Sequence, residues 1–183
     1  MTYLLPTSTA PLDDQALDRF LHDLFVGVTG IDPTLVRPRW TAEPGNMPAF
    51  NTSWIAQGIT ERRDDVVASQ VLSSDGLSTT VSRNQELDCL TSVYGSNAST
   101  LQALIRDGLS LDQNREYINQ YGFVLVKVGD PRNTTMLINE RWNKRIDFII
   151  TFRRLLSRVY TVQSLLSAQE QLITDAVNEI ITN

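Results

Sequence analysis

The sequence has few of the residues on which most enzyme chemistry depends. Its 183 residues include one cysteine, Cys89, and one histidine, His22. A single cysteine excludes an internal disulfide and a zinc site built on cysteine pairs, and a single histidine argues against a metal centre or a histidine-dependent triad. We therefore expect Cys89 to be a small core residue, His22 to lie at the edge of a helix face, and the protein to act without catalysis or a cofactor.

Long apolar runs and mechanistic motifs are missing as well. No run approaches the roughly 18 apolar residues of a membrane span, and the N-terminus lacks the basic and apolar regions of a signal peptide. The sequence has no Gly-rich phosphate loop, His-Glu-x-x-His or Gly-x-Ser-x-Gly motif. The net charge of −5 argues against a general nucleic-acid binder. We expect one domain over 1–183, with a structural or binding role and no membrane partner.

The charges are unevenly distributed along the chain. Seven bases and two acids lie between 131 and 160, whereas 161–183 contains no base. Fourteen of the sixteen bases are arginines, which form planar, partly desolvated contacts and are enriched at protein interfaces. The basic stretch therefore favours an interface, with pairing to acids of the same subunit as the alternative for each arginine.

Hydrophobic periodicity predicts an α+β fold, an antiparallel or mixed β-sheet flanked by helices. Asp75-Gly76 predicts a hairpin turn, and Ile146, Phe148, Ile150 and Phe152 share one strand face. The predicted elements are an N-terminal helix over 13–28, an arm over 33–58, a β-hairpin and strands over 59–95, two helices over 97–121, strands over 123–166 and a C-terminal segment over 167–183. Periodicity leaves that last segment open between helix and strand.

Residues 33–58 are typical of an extended arm with a binding role. They contain four prolines and two tryptophans without helix or strand periodicity. Trp40, Phe50 and Trp54 need a surface to bury against, and the prolines reduce the entropy lost when such an arm docks. An arm of this length in a compact domain usually has a binding role. The alternative assigns Trp54, together with Trp142 and Tyr160, to the subunit's own core.

Glu86 and Asp88 are the closest approach to a catalytic carboxylate pair. At i and i+2 of a predicted strand they share a face, where like charges repel unless a cation meets them from another strand or subunit. The basic stretch over 141–158 is a candidate source of that cation. The alternative is a metal site, or a hydrolytic or small-molecule-binding domain that uses both acids. A run of four charged residues predicts a solvated or interface charge cluster at a strand entrance: Arg62, Arg63, Asp64 and Asp65.

Five sequence blocks, in this order, resemble the phage tail and neck terminator family. They cover about Leu35 to Ala168 and read VRPRWTAEPGNMPAFNTSWIAQGI, LDCLTSVYG, LIRDGLSLDQNREYI, NERWNKRIDFIITFRR and SRVYTVQSLLSA. The signature residues are Tyr94-Gly95, Gly108-Leu109, Gln113-Asn114-Arg115-Glu116, Trp142, Arg145, Asp147, Arg153-Arg154 and Tyr160. The resemblance also implies that Val159–Leu166 continues a strand and that QLITD, at 171–175, is sheet.

The resemblance implies a structural virion protein of the tail or neck, made in the host cytoplasm. It implies a homohexameric ring that caps the head-proximal end of the tail tube, stops its polymerisation and joins it to the neck or connector. The partners would be further copies, the tail tube, neck and connector proteins and, in a contractile tail, the sheath, with DNA only passing through. The alternative is a head-completion or connector protein, a stopper or adaptor docked to the portal.

That reading makes a set of side chains candidates for contacts with the tube or with neighbouring subunits. The candidate interface residues are Trp40, Phe50, Trp54, Arg62, Arg63, Glu86, Asp88, Arg145, Asp147, Arg153 and Arg154. The tube- and neighbour-facing contacts are expected from Arg145, Asp147, Arg153 and Arg154, which belong to the basic stretch. The aromatics Trp40, Phe50 and Trp54 are expected to pack on a neighbouring subunit or on the neck.

Overall fold

The computed structural model describes residues 3–9, 11–41, 45–138 and 140–162. Contacts divide the chain into two units. The main unit comprises Leu12–Asp65 and Asn84–Leu155, and the ribbon unit comprises Met1–Pro11, Val66–Arg83 and Leu156–Asn183. A single domain over 1–183 stays a prediction. The predictions for 167–183, including a strand at 171–175, lie outside the described residues. The part of the predicted strand beyond residue 162 lies outside them as well.

The described residues form helices and a mixed sheet, which confirms the predicted α+β class. The helices are α1 (Asp14–Thr29), α2 (Ala98–Ser110) and α3 (Asp112–Gln120), and a single 3₁₀ turn spans Pro33–Leu35. The strands are β1 (Val36–Pro38), β2 (Trp54–Asp64), β3 (Ser69–Leu72), β4 (Ser78–Tyr94), β5 (Phe123–Val128), β6 (Arg132–Asn133), β7 (Met136–Ile138), β8 (Arg141–Asn143) and β9 (Arg145–Thr161).

The seven-stranded sheet follows the order β1-β2-β4-β9-β5, with β6 also on β9 and β3 on β4. β1 runs parallel to β2, whereas β2 is antiparallel to β4 and β5 is antiparallel to β9. Ser92 bonds Asp147 while Glu86 bonds Arg153, so residue numbers on β4 rise as those on β9 fall. This register is antiparallel and brings the polar residues of two long strands side by side.

One face of the sheet in the main unit carries the hydrophobic core. The alternation of β4 and β9 sends every second side chain to this face, where the apolar sides of the three helices cover it. The fully buried members include Leu21, Phe25, Leu87, Cys89, Val93, Ile105, Leu109, Ile118 and Ile150. Cys89 is fully buried, which confirms the prediction that this thiol is a core residue, and the burial raises its pKa to about 11.

The ribbon unit contains the predicted hairpin. β3 pairs with the first residues of β4, from Ser69 opposite Ser82 to Leu72 opposite Thr79. In the turn, Asp75 accepts a hydrogen bond from the backbone N–H of Leu77 at 2.9 Å, and Gly76 has φ +69°. A left-handed residue at this position is the reason that Asp-Gly signals a hairpin.

The boundaries of the predicted arm need correction. Residues 36–38 are β1, and β2 already begins at Trp54, so the irregular part is confined to the residues between these strands. The physical reason is parallel pairing, because Val36 lies opposite Ile55 and Pro38 opposite Gln57. Three residues are too few to show a period in the sequence. The docking of an arm on another subunit stays a prediction.

Gly95 supports a prediction about the packing after β4. It has φ +95°, and a Cβ there would lie 2.7 Å from the Ser53 Cα and 2.8 Å from the Thr52 carbonyl oxygen. We expect Gly95→Ala to lower the free energy of unfolding by about 3 kcal/mol, from strain and overpacking together. Urea unfolding measures this loss.

Gly122→Ala is the matched control for that substitution. Gly122 has φ +78° but nothing within 4 Å of the added Cβ, so strain alone should cost about 1 kcal/mol. Equal losses in the two variants would show that the close approach to Ser53 contributes nothing.

Candidate functional site

The face of the sheet opposite the helices carries a group of ionic side chains along β2, β4 and β9, beside the stacked rings of Trp54 and Tyr94. We call it the open face. Its members alternate with core residues along β2, β4 and β9. They include Glu61, Arg63, Glu86, Asp88, Ser92, Asp147, Thr151 and Arg153. The residues named here include five of the candidate interface residues, and Arg145, two positions before Asp147 on β9, shares their face.

Arg63 is the centre of the first charge cluster on the open face. Its two terminal nitrogens bind the carboxylate of Asp88 at 2.7 and 3.1 Å, and they also reach Glu61 at 3.0 Å and Glu86 at 3.4 Å. Thr151 donates a further hydrogen bond to Asp88 at 2.7 Å. The bidentate geometry fixes the guanidinium plane against the strand.

These contacts keep the two acids ionised. The hydrogen bonds from Arg63 hold the pKa of Asp88 below its ordinary value, although burial opposes them. Arg153 donates to Glu86 through its Nε at 3.2 Å and likewise lowers the pKa of Glu86. Arg153 belongs to the basic stretch that the sequence offers as the source of a cation. Carboxylates held this way are poor proton donors near neutral pH.

Asp147 is the centre of the second cluster. Arg145 Nε donates to it at 2.8 Å and Thr134 Oγ1 at 3.0 Å, while Ser92 donates from β4 and itself accepts from Arg39. Burial would raise the pKa of Asp147, but the bonds from Arg145, Ser92 and Thr134 outweigh it, so the pKa lies below its ordinary value. This cluster links β4, β9 and the residue after β1 within one subunit.

Arg154 lies in the interior of the main unit, on the helix side of the sheet. Its side chain is 5% exposed and donates to Gln85 Oε1 at 2.9 Å, to the Leu12 carbonyl and to Asp13 at 2.7 Å. Arg62 also binds Asp13 at 2.7 Å. The prediction that Arg154 faces the tube or a neighbouring subunit is therefore wrong, because its donors bind groups of the same subunit. We leave Arg154 out of the proposed interface.

The predicted arm aromatics divide into one buried and two exposed side chains. Trp54 is 8% exposed and stacks on Tyr94 with ring centroids 4.2 Å apart, which favours the core alternative. Phe50 is half-exposed, with the Arg141 guanidinium 5.9 Å from its ring. Trp40 is 69% exposed. Trp142, which the core alternative places inside, is 70% exposed.

Sequence reasoning missed four polar partners of the charge clusters, namely Arg39, Ser92, Thr134 and Thr151. Strand alternation carries a signal for Ser92 and Thr151, because each shares a face with a candidate acid. Arg39 and Thr134 come from irregular segments, so their position depends on how those segments pack.

The residues that the structure describes can also be searched for a metal site and for a membrane-spanning helix. Among them, no group of three or more His, Cys, Asp or Glu side chains is arranged to hold a metal ion. No helix among the same residues is long and apolar enough to span a bilayer.

Comparison with known proteins adds a family assignment. The sequence model described as phage neck terminator protein matches residues 15–178, a range that includes every candidate interface residue. No curated protein matches the chain.

Proposed function

Because the chain belongs to the phage neck terminator protein family, we propose that it forms a homohexameric ring at the head-proximal end of the tail tube. The ring terminates polymerisation of the tube and joins the tail to the neck or connector. Membership of the family implies that the chain has a structural role in the tail and neck of the virion. It also implies association with other proteins of the tail and neck. The match over residues 15–178 is the observation that carries the proposal.

The surface of the main unit supports an assembly role. A closed ring needs two different surfaces on each subunit, because one surface of a copy meets another surface of the next. Trp40 and Trp142 are 69% and 70% exposed, and exposed tryptophans are typical of binding surfaces. The open face supplies fixed charges, which select the register of contacts more than they add affinity.

The same proposal assigns the ring's neighbours and a non-catalytic mode of action. The neighbours are the tail tube, the neck or connector proteins and, in a contractile tail, the sheath. DNA passes through without being a specific ligand, and the net charge of −5 opposes adhesion to phosphates. The arginine-bound acids of the open face support a structural use of Glu86 and Asp88.

Electron microscopy of phage particles with this gene disrupted tests the proposal. We expect tail tubes of uncontrolled, excessive length beside filled, unattached heads, because nothing stops polymerisation or offers a docking surface. Expression of the intact gene in trans should restore normal tails. Tails of normal length beside unattached heads would transfer the protein to a head-completion or connector role. In that case, averaged images of its ring in intact particles should show twelvefold instead of sixfold symmetry. Normal infectious virions would refute both roles.

A further inference from the structure

Trp40 is presented on the surface in a fixed position. It has φ +53°, a backbone conformation that is uncommon for a bulky residue and concentrates at functional sites. Its ring lies on Gly58, where an added Cβ would be 2.8 Å from a ring carbon. The side chain is nevertheless 69% exposed, and Met47 beside it is 70% exposed.

These side chains line a groove of about 540 Å³, which we call the Trp40 groove. Its members include Arg37, Arg39, Trp40, Met47, Trp54 and Tyr94. Tryptophan, methionine, tyrosine and arginine are the residues enriched where proteins bind each other. The groove therefore has the composition of a binding surface.

The two arginines of the Trp40 groove have no carboxylate partner among the described residues. Arg37 donates to the carbonyl oxygens of Thr34 at 3.3 Å and Asn46 at 2.6 Å. Arg39 donates to Ser92, and its Nε is buried without a hydrogen-bond partner in the described part of the chain. The groove suits a partner surface that combines carboxylates with aliphatic side chains.

The chain carries such a surface where α2 meets α3, which we call the acidic corner. Leu104 and Leu111 are 42% and 60% exposed. Leu104 and Asp107 lie one turn apart on α2, and Leu111 is the extended residue that joins α2 to α3. Asp112 and Glu116 lie one turn apart on α3.

The acids of the acidic corner are available for a partner. Asp107, Asp112 and Glu116 make no hydrogen bond or ion pair with another described side chain. The nearby Arg115 donates through Nε to the Leu109 carbonyl at 3.2 Å. The corner thus keeps an excess of negative charge beside exposed leucines.

We infer that the Trp40 groove of one copy receives the acidic corner of a second copy. This inference rests on the proposed ring, for which it supplies the head-to-tail contact. Two different surfaces meet, so the contact is heterologous and can repeat around a closed ring. The apolar contact of Trp40 and Met47 with Leu104 and Leu111 supplies most of the affinity, and arginine–carboxylate pairs set the register.

Cysteine cross-linking between full-length chains tests the contact. The natural thiol does not interfere, because Cys89 is fully buried with a raised pKa. We expect oxidation of a mixture of Met47→Cys and Leu111→Cys chains to give covalent dimers at least about fivefold above either variant alone. Each variant alone should give only the dimers of random collision, because a head-to-tail contact does not bring identical positions together.

Leu72→Cys is the matched control for Leu111→Cys. Leu72 is 61% exposed against 60% for Leu111, so the two thiols meet a partner by random collision equally often. Equal dimer yields from Met47→Cys with Leu111→Cys and from Met47→Cys with Leu72→Cys would overturn the inference. Labelling with a maleimide and circular dichroism verify that each variant is folded with a reactive thiol.

Charge reversal provides a second test on the same cross-link. Adding Asp112→Lys and Glu116→Lys to the Leu111→Cys chain should lower its yield with Met47→Cys several-fold, and Arg37→Glu on the Met47→Cys chain should restore part of it. An unchanged yield would refute the charge complementarity.

Experiments on phage particles distinguish a failure of this inference from a failure of the proposed function. Phage whose chains carry both Met47→Cys and Leu111→Cys should give a ladder of covalent multimers on oxidation. Normal virions after gene disruption would refute the terminator role, while the cross-link between free chains could still be present. Overlong tails after gene disruption without any cross-link would instead refute only the contact.

Discussion

Replacement of Arg154 by alanine is expected to lower the free energy of unfolding by about 3 to 5 kcal/mol. The same substitution at the adjacent Arg153 should change it by less than about 0.5 kcal/mol. The two arginines occupy successive positions of β9 and differ only in the sheet face to which they point.

The difference follows from what each side chain leaves behind. Arg154 is 5% exposed, so its removal leaves a cavity and takes the donor away from Gln85 Oε1 and the Leu12 carbonyl. Asp13 keeps its bond from Arg62 but loses the one from Arg154. Unpaired buried acceptors and a cavity together cost several kcal/mol. Arg153 is 54% exposed, and water can replace it at Glu86.

Urea unfolding at pH 7 measures both variants against the unsubstituted protein. Arg154→Lys is a useful third variant, because lysine keeps the charge but cannot reproduce the planar set of donors. Its stability should lie between those of the alanine variant and the natural protein. Equal losses for Arg153→Ala and Arg154→Ala would contradict the interior position of Arg154.

The same pair of arginines shows how far the sequence predicts this site. Alternation correctly places Ile146, Phe148, Ile150 and Phe152 on one buried face, and one more step of the period reaches Arg154. The density of bases in this stretch favours a position on the protein surface for Arg154 instead. The groups that accept hydrogen bonds from the buried Arg154 come from segments distant in the sequence, so no local pattern indicates them.

β2 illustrates a different limit of prediction from the sequence. The sequence predicts a charge cluster around Arg62 and Arg63 but does not separate their roles. A bulge between Ile59 and Glu61 shifts the register of β2 on β4, and beyond it Arg63 lies over Asp88 while Arg62 binds Asp13. A bulge changes which residues share a face.

Local signals are sufficient where an element depends on its own residues. The amphipathic spacing of α1 predicts a helix over 13–28, and the helix spans Asp14–Thr29. The Asp75-Gly76 turn likewise predicts the β3–β4 hairpin. Trp54 and Trp142 fall outside this class, since their burial depends on the packing of other segments.

Acidification is expected to destabilise the protein, with the loss concentrated below about pH 5. The pKa values of Asp13, Asp88 and Asp147 lie below their ordinary value in the folded state, whereas the unfolded chain titrates near about pH 3.9. The unfolded state therefore binds more protons than the folded state below about pH 5. The free energy of unfolding consequently decreases as the pH is lowered. Asp18 opposes this in part, because burial raises its pKa.

Asp88→Asn isolates the contribution of the open face. At pH 7 the variant should be less stable by about 2 kcal/mol, because a charge-assisted bidentate contact with Arg63 is lost. It should lose less stability than the natural protein between pH 5 and pH 3, since one acid with a lowered pKa is gone. Urea unfolding at a series of pH values measures both effects.

The decisive feature is therefore convergence of the two stability curves on acidification. Asp130→Asn is the matched control, because the Asp130 side chain is 99% exposed and its curve should follow that of the natural protein. Parallel curves for Asp88→Asn and the natural protein would show that Asp88 titrates alike in the folded and unfolded states. In that case the contact between Arg63 and Asp88 would not hold the carboxylate ionised, and the open face would lack the fixed charge that the proposed assembly uses to set its register.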